Sequence, residues 1–161
     1  MPSMKILLIA GGWSSEREVS LTGARGMQEA LLKRGHAVTF FDLLENFDEL
    51  LETARQHDFA LINLHGSPGE DGLVQAMLEK AGCPYQGSGP SGSFLALNKA
   101  AAKQIFRMAG LPTADWEFLP VRPAEGWEPR LPWPLFVKTT TGGSSPVSYT
   151  HLRAHETDSY L

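Results

Sequence analysis

Met4-Lys5-Ile6-Leu7-Leu8-Ile9-Ala10-Gly11-Gly12-Trp13-Ser14-Ser15-Glu16-Arg17-Glu18-Val19-Ser20 holds a strand, a glycine turn and the start of a helix in seventeen consecutive residues. The Ile- and Leu-rich run Met4 to Ala10 reads as a short strand buried on both faces. After the glycines the apolar period lengthens. From Glu16 to Arg34, residues Ser20, Gly23, Ala24, Met27, Ala30 and Leu31 share one helical face. Ser15 and Glu18 have capping-box spacing, and Gly35 is a natural stop. The pattern then repeats: a strand over Ala37–Asp42, a helix over Glu45–Gln56 with Leu50, Leu51 and Ala54 inward, and a strand over Phe59–Leu64. A glycine-rich loop, His65 to Gly72, leads to a helix ending at Gly82. Such alternation predicts an α/β fold, a small Rossmann-like parallel sheet with helices on both faces.

The remainder is organised differently. Gly-Ser-Gly-Pro-Ser-Gly-Ser breaks the alternation, and a domain boundary is expected near Ser88 to Gly92. One helix is expected over Leu95–Met108, ended by Gly110 and Pro112. Six of the eleven prolines lie between Pro112 and Pro134, which reads as a linker or a set of short strands. Leu135 to Lys138 is a short strand, followed by the loop Thr139-Thr140-Thr141-Gly142-Gly143-Ser144-Ser145. From Pro146 to Leu161 neither a strand nor a helix period is clear. The run Val147 to Thr157 resembles translated adapter sequence, so residues 146–161 are expected to be a non-native tail. The expected division is 1–88, 89–145 and 146–161.

With 161 residues, 42% hydrophobic and 20% charged, the chain has the composition of a globular protein and can bury a substantial core. Its net charge of −4 gives no basic field for nucleic acid. The apolar run after Lys5 is too short to span a bilayer, and no cationic amphipathic face marks a membrane surface. A single cysteine, Cys83, fits a reducing cytoplasm.

Ligands of open parallel sheets bind beyond the carboxyl ends of the strands. The first loop there lacks the G-x-G-x-x-G fingerprint of a dinucleotide site, although Asp42 stands where a ribose-binding acid would. Trp13 is bulky, and Glu16 puts a carboxylate at the helix N-terminus where phosphate would dock. That carboxylate repels phosphate and favours an ammonium group; alternatively it is a first-turn acid complementing the helix dipole. His65 faces the same edge and can hydrogen-bond a substrate carboxylate, or simply hold its own loop. Lys138, before a Thr/Gly/Ser loop, has the chemistry of a phosphate contact, with Ser144 and Ser145 as hydroxyl donors; an exposed strand-end lysine and an ordinary turn explain it equally. Lys99 by default is a solvated helix lysine. His151 and His155 have i,i+4 spacing but no third ligand, so no metal site is assigned. Cys83 reads as a small buried filler.

Gly11-Gly12-Trp13-Ser14-Ser15-Glu16-Arg17-Glu18-Val19-Ser20-Leu21 resembles the opening signature of the D-alanine–D-alanine ligases. His65-Gly66-Ser67-Pro68-Gly69-Glu70-Asp71-Gly72, with Gln75, Leu78 and Glu79, resembles their second. Pro84-Tyr85-Gln86-Gly87-Ser88, Asn98-Lys99 and Val137-Lys138 with Gly143-Ser144-Ser145 continue the likeness, the last resembling the start of an ATP-grasp domain. The resemblance covers roughly Lys5 to Ser145. It implies ATP-dependent formation of a dipeptide through an acyl phosphate, for peptidoglycan synthesis in the cytoplasm, by a homodimer. It implies that Glu16 binds the ammonium of the first D-alanine, His65 shapes that subsite, and Lys99 and Lys138 neutralise ATP phosphates. Ser144 would lie on a closing loop linked to Glu16, with Ser145 beside it. Thr139 stands where a proline is common, and Asn98 where an aspartate is. After Ser145 the family continues Val-Gly, whereas this chain reads Pro146-Val147-Ser148. Mg²⁺ ligands are expected in family segments this sequence does not match, so a 161-residue polypeptide is expected to be inactive alone. Two further readings stay open: a non-catalytic Rossmann-like module for a nucleotide or amino acid, and an ATP-grasp ligase for another amino acid or hydroxy acid, such as D-serine or D-lactate.

Overall fold

The computed structural model describes residues 2–142 and 148–150. Strand β1 (Lys5–Ala10) lies at the centre of a three-stranded parallel sheet, between β2 (Ala37–Asp42) and β3 (Phe59–Ile62). Ile6 pairs with Val38 on one side and with Phe59 on the other. As the central strand, β1 needs apolar residues on both faces, and every residue from Ile6 to Ala10 is buried. Leu8 and Ala10 pack with Ala24 of helix α1 (Arg17–Lys33). Leu7 and Ile9 face the larger core opposite. There Leu50 and Ala54 of α3 (Leu50–Arg55) meet Val74 and Leu78 of α4 (Leu73–Ala81). Helices thus cover both faces, as the alternation predicts.

The strand order β2-β1-β3 has a consequence for the site. The chain leaves β1 in one direction and returns past it to β3, so the crevice between the ends of β1 and β3 is the topological switch point. Beyond β3, Tyr85 forms a single parallel bridge to Ala60. The Gln86 side-chain amide doubles as a strand there, accepting from Ile62 N at 2.9 Å and donating to Ile62 O at 2.6 Å.

Three local expectations are corrected. The capping box at α1 is absent: the helix starts at Arg17, and Ser14 Oγ accepts from Glu16 N at 3.2 Å. The expected Glu45–Gln56 helix is broken into α2 (Leu43–Asn46), a 3₁₀ turn (Phe47–Glu49) and α3. Asn46 leaves the helical region, and Phe47 turns its ring edge-on to Trp13 at 5.4 Å. The expected Leu95–Met108 helix is two, α5 (Pro90–Leu97) and α6 (Lys99–Met108). Asn98 has extended ψ, and its side chain caps α6 by accepting from Ala101 N at 3.0 Å. Strand β4 (Phe136–Lys138) pairs antiparallel with β5 (Ser148–Thr150), which lies inside the segment where no strand or helix period is clear in the sequence.

Candidate functional site

Three strand ends converge at the carboxyl edge of the sheet. After β1, Gly11 and Gly12 both take positive φ, a conformation other residues resist. A Cβ on Gly11 would collide with the side chains of Arg17 and Asp42, so glycine is also required by space. Arg17, in the first turn of α1, grips Asp42 at the end of β2 through two parallel bonds, Nη1–Oδ1 at 2.7 Å and Nη2–Oδ2 at 2.6 Å. Arg17 Nη1 also donates to Gly12 O at 3.3 Å. The guanidinium bonds hold the Asp42 carboxyl below its ordinary range, and Asp42 raises the Arg17 value in return. Asp42 is therefore committed to a cation of its own chain rather than to a ribose hydroxyl.

The loop after β3 packs directly on the loop after β1. A Cβ on Gly12 would sit 3.3 Å from Leu64 and 3.5 Å from Pro68. A Cβ on Gly66 would lie 3.4 Å from Ser14 Cβ and 3.9 Å from Glu16 Oε2. Gly66 is buried, at φ +63°, and it fixes the approach of the two loops. The loop holds itself in shape: Glu70 accepts from Gly66 N at 3.0 Å, and Glu70 N donates to Gly66 O at 2.7 Å. Buried Gln75 reaches back from α4 to Gly69 O at 2.6 Å. The acids Glu70 and Asp71 thus serve the loop, Asp71 accepting from Ser67 Oγ at 2.5 Å and Leu73 N at 3.0 Å.

Glu16 and His65 are brought to this crevice, both half-buried. Their side chains are not hydrogen-bonded to each other or to another described residue. The Glu16 carboxylate thus stands beside Gly66 with its acceptor capacity free, at a helix N-terminus whose dipole favours negative charge. A carboxylate attracts cations such as an ammonium group and repels a phosphate.

Lys99 and Lys138 lie elsewhere. Lys99 N donates to Thr140 O at 2.9 Å and Lys99 Nζ to Gly142 O at 2.8 Å, which ties the start of α6 to the loop after β4. Lys138 is exposed at the end of β4. The two lysines share one loop, but no hydrogen bond or ion pair among the described residues joins them to Glu16 or His65. Ser144 and Ser145, with His151 and His155, lie outside the described residues. Among the described residues no three His, Cys, Asp or Glu side chains group as metal ligands. Cys83 is buried, and burial pushes its thiol up, away from the thiolate.

Two polar devices escape a reading of the sequence. One is the Arg17–Asp42 pair, which joins residues far apart in the chain. The other is a buried network: Gly11 N donates to Ser20 Oγ at 2.8 Å, Ser20 Oγ donates to Asn63 O, and Asn63 Nδ2 donates to Ser20 O at 2.6 Å. Its one sequence signal is a serine on the inward face of a helix.

Fold and site together define a parallel α/β domain with its crevice at the switch point between β1 and β3, matching the N-terminal domain of ligase structures. A D-alanine–D-alanine ligase from Bacillus anthracis, complexed with ATP, superposes with a TM-score of 0.76 at 38% identity, over 88% of this chain and 49% of that one. D-alanyl-alanine synthetase A from Vibrio cholerae gives 0.73 at 27%, over 96% and 54%. By sequence the chain is similar to D-alanine–D-alanine ligases. It is 77% identical over 142 residues to the enzyme of that name from Desulfovibrio desulfuricans, covering 88% of this chain and 46% of the relative. The figure for the enzyme from Nitratidesulfovibrio vulgaris is 70%, covering 88% and 47%. The chain spans about half the length of the relatives it matches. No family model matches it. No helix among the described residues is long and apolar enough to cross a membrane.

Proposed function

We propose that this chain carries the first-substrate half of a cytoplasmic, ATP-dependent D-alanine–D-alanine ligase that supplies dipeptide for peptidoglycan. The observation that carries this reading is the unpaired Glu16 carboxylate set against Gly66 at the switch point. In this reading Glu16 takes the ammonium of the first D-alanine, and His65 closes one wall of that subsite. The substrate carboxylate is then turned outward, toward the incoming phosphoryl donor. ATP supplies the phosphoryl group that activates this carboxylate, and the amine of a second D-alanine displaces the phosphate.

The residues present suit part of that task. Lys99 spends one N–H on Gly142 O and keeps donors for phosphate oxygens, and Lys138 adds a second cation on the same loop. Ser144 and Ser145 complete the loop in this reading. The described residues offer no acidic cluster for Mg²⁺. The proposed division is an amino-acid-binding domain over 1–88, the beginning of an ATP-grasp domain over 89–145, and a tail over 146–161. Homodimerisation and a preference for D-alanine over D-serine or D-lactate belong to the same reading.

A chimera tests it. Residues 5–142 of this chain replace their counterpart in the Desulfovibrio desulfuricans ligase, and phosphate release from ATP is measured against D-alanine concentration. The expected result is D-alanine-dependent turnover, with Glu16→Gln raising the KM for D-alanine about tenfold or more through the lost charge-assisted contact. An active chimera whose D-alanine dependence ignores Glu16→Gln would remove Glu16 from the subsite. An inactive, well-folded chimera would count against the ligase reading itself.

A further inference from the structure

We propose that Ser20 and Asn63 are positioning residues for amino-acid binding: their buried hydrogen bonds lock the first turns of α1 to the ends of β1 and β3, and so set the Glu16 carboxylate against Gly66. The proposal rests on the ligand reading above and adds residues that touch no ligand. Ser20 is fully buried and Asn63 nearly so. Ser20 N donates to Glu16 O at 3.1 Å, which stacks Ser20 one turn below Glu16 on the same helix. Its hydroxyl takes the Gly11 N–H and donates to Asn63 O, so one side chain bridges two strand ends. Asn63 N in turn continues the β1–β3 ladder to Ile9 O at 2.8 Å. Asn63 Nδ2 closes the circuit on Ser20 O at 2.6 Å. Gly23 makes the fit possible, because a Cβ there would lie 3.2 Å from Asn63 Nδ2.

Alanine would fill most of the serine's volume on this face, as Ala24 does one turn on. What alanine cannot do is bond Gly11 N and Asn63 O together. Without that bridge, the glycine turn and the loop that begins at Asn63 are each free to shift relative to α1. The position of Glu16 against Gly66 then has one fewer constraint on each side.

The test is made by NMR on the 161-residue chain. It reads the dissociation constant for D-alanine and the cross-relaxation between Ser14 Hβ and Gly66 Hα. Ser20→Ala is expected to weaken D-alanine binding about tenfold and to lose that cross-peak. Ser20→Thr, which keeps the hydroxyl, is expected to restore both. Val19→Ala, at an exposed site on the same helix, is expected to change neither. A folded Ser20→Ala chain that melts earlier yet keeps its affinity and cross-peak would show a purely structural role and overturn the proposal. If the wild-type chain does not bind D-alanine, the ligand reading fails. The cross-peak then judges the geometric claim alone: its loss in Ser20→Ala supports that claim, and its retention overturns it. If Ser20→Ala does not fold, the wild-type chain decides. Slower hydrogen exchange at Gly11 N upon D-alanine addition supports the coupling, and unchanged exchange overturns it.

Discussion

At the scale of single residues, the proposed amino-acid site rests on charge placement. Glu16 stands at the mouth of α1, Arg17 next to it turns away to Asp42, and neither leaves the helix N-terminus open to an anion. The sequence alone points to Glu16 in this position, because a carboxylate at a helix start after a glycine turn is a local pattern. It also offers Asp42 as a ribose acid, and there local reading fails: only the pairing of β1 with β2 brings Arg17 within reach. The pair has a pH signature. The folded-state value of Asp42 is depressed, so its stabilisation is complete above the ordinary carboxylate value of about 3.9 and is lost as pH falls through the lower folded value. Asp42→Asn is therefore expected to lower the melting temperature at pH 7, with the difference from wild type shrinking below about pH 4 as the wild-type carboxylate protonates. Parallel thermal melts from about pH 2 to about pH 8, a range that brackets carboxylate titration near pH 4, check it; a difference constant across that range would show that the ion pair contributes nothing.

At the scale of elements, strands and helix ends fixed by strong local chemistry are legible, and breaks are not. The apolar run of β1, the bounds of β2, and the glycine stops at Gly35 and Gly82 follow from the residues themselves. Asn98 does not announce its break. Ala, Leu and Lys surround it with good helix formers, and the preceding Phe94-Leu95-Ala96-Leu97 keeps a helical look. The asparagine nonetheless prefers to cap, and it starts α6 afresh at Lys99, the residue that reaches Gly142. Asn98→Ala removes the cap and is expected to cost about 1 kcal/mol of helix stability, read as faster hydrogen exchange at Ala101 N. The same change is expected to loosen the Lys99–Gly142 contact. Unaltered exchange at Ala101 would mean that the cap is dispensable. The break between α2 and α3 is equally hidden; at it Phe47 meets Trp13 from another loop.

On the scale of the whole molecule, packing is uneven. Every buried residue among those described lies at or before Cys83. Beyond it, Phe94, Met108, Val121 and Phe136 are large, apolar and exposed, Met108 at 79% of its surface. Amide exchange is expected to be slowest in β1 and β3 and fast throughout 112–134, where few apolar side chains are sequestered. Comparable protection in both regions would contradict this division of stability. The sequence shows the proline-rich stretch and the loss of alternation, but not the degree of exposure, which depends on what each face meets.

In the proposed reading the helix-mouth carboxylate selects an amino acid's ammonium over a nucleotide's phosphates, and a paired NMR titration of the 161-residue chain with D-alanine and with NAD⁺ tests this selection. Saturable shifts are expected at the Glu16 and Gly66 amides with D-alanine, and none with NAD⁺. Saturable binding of NAD⁺ at Gly11, Gly12 and Glu16, with D-alanine inert, would contradict it.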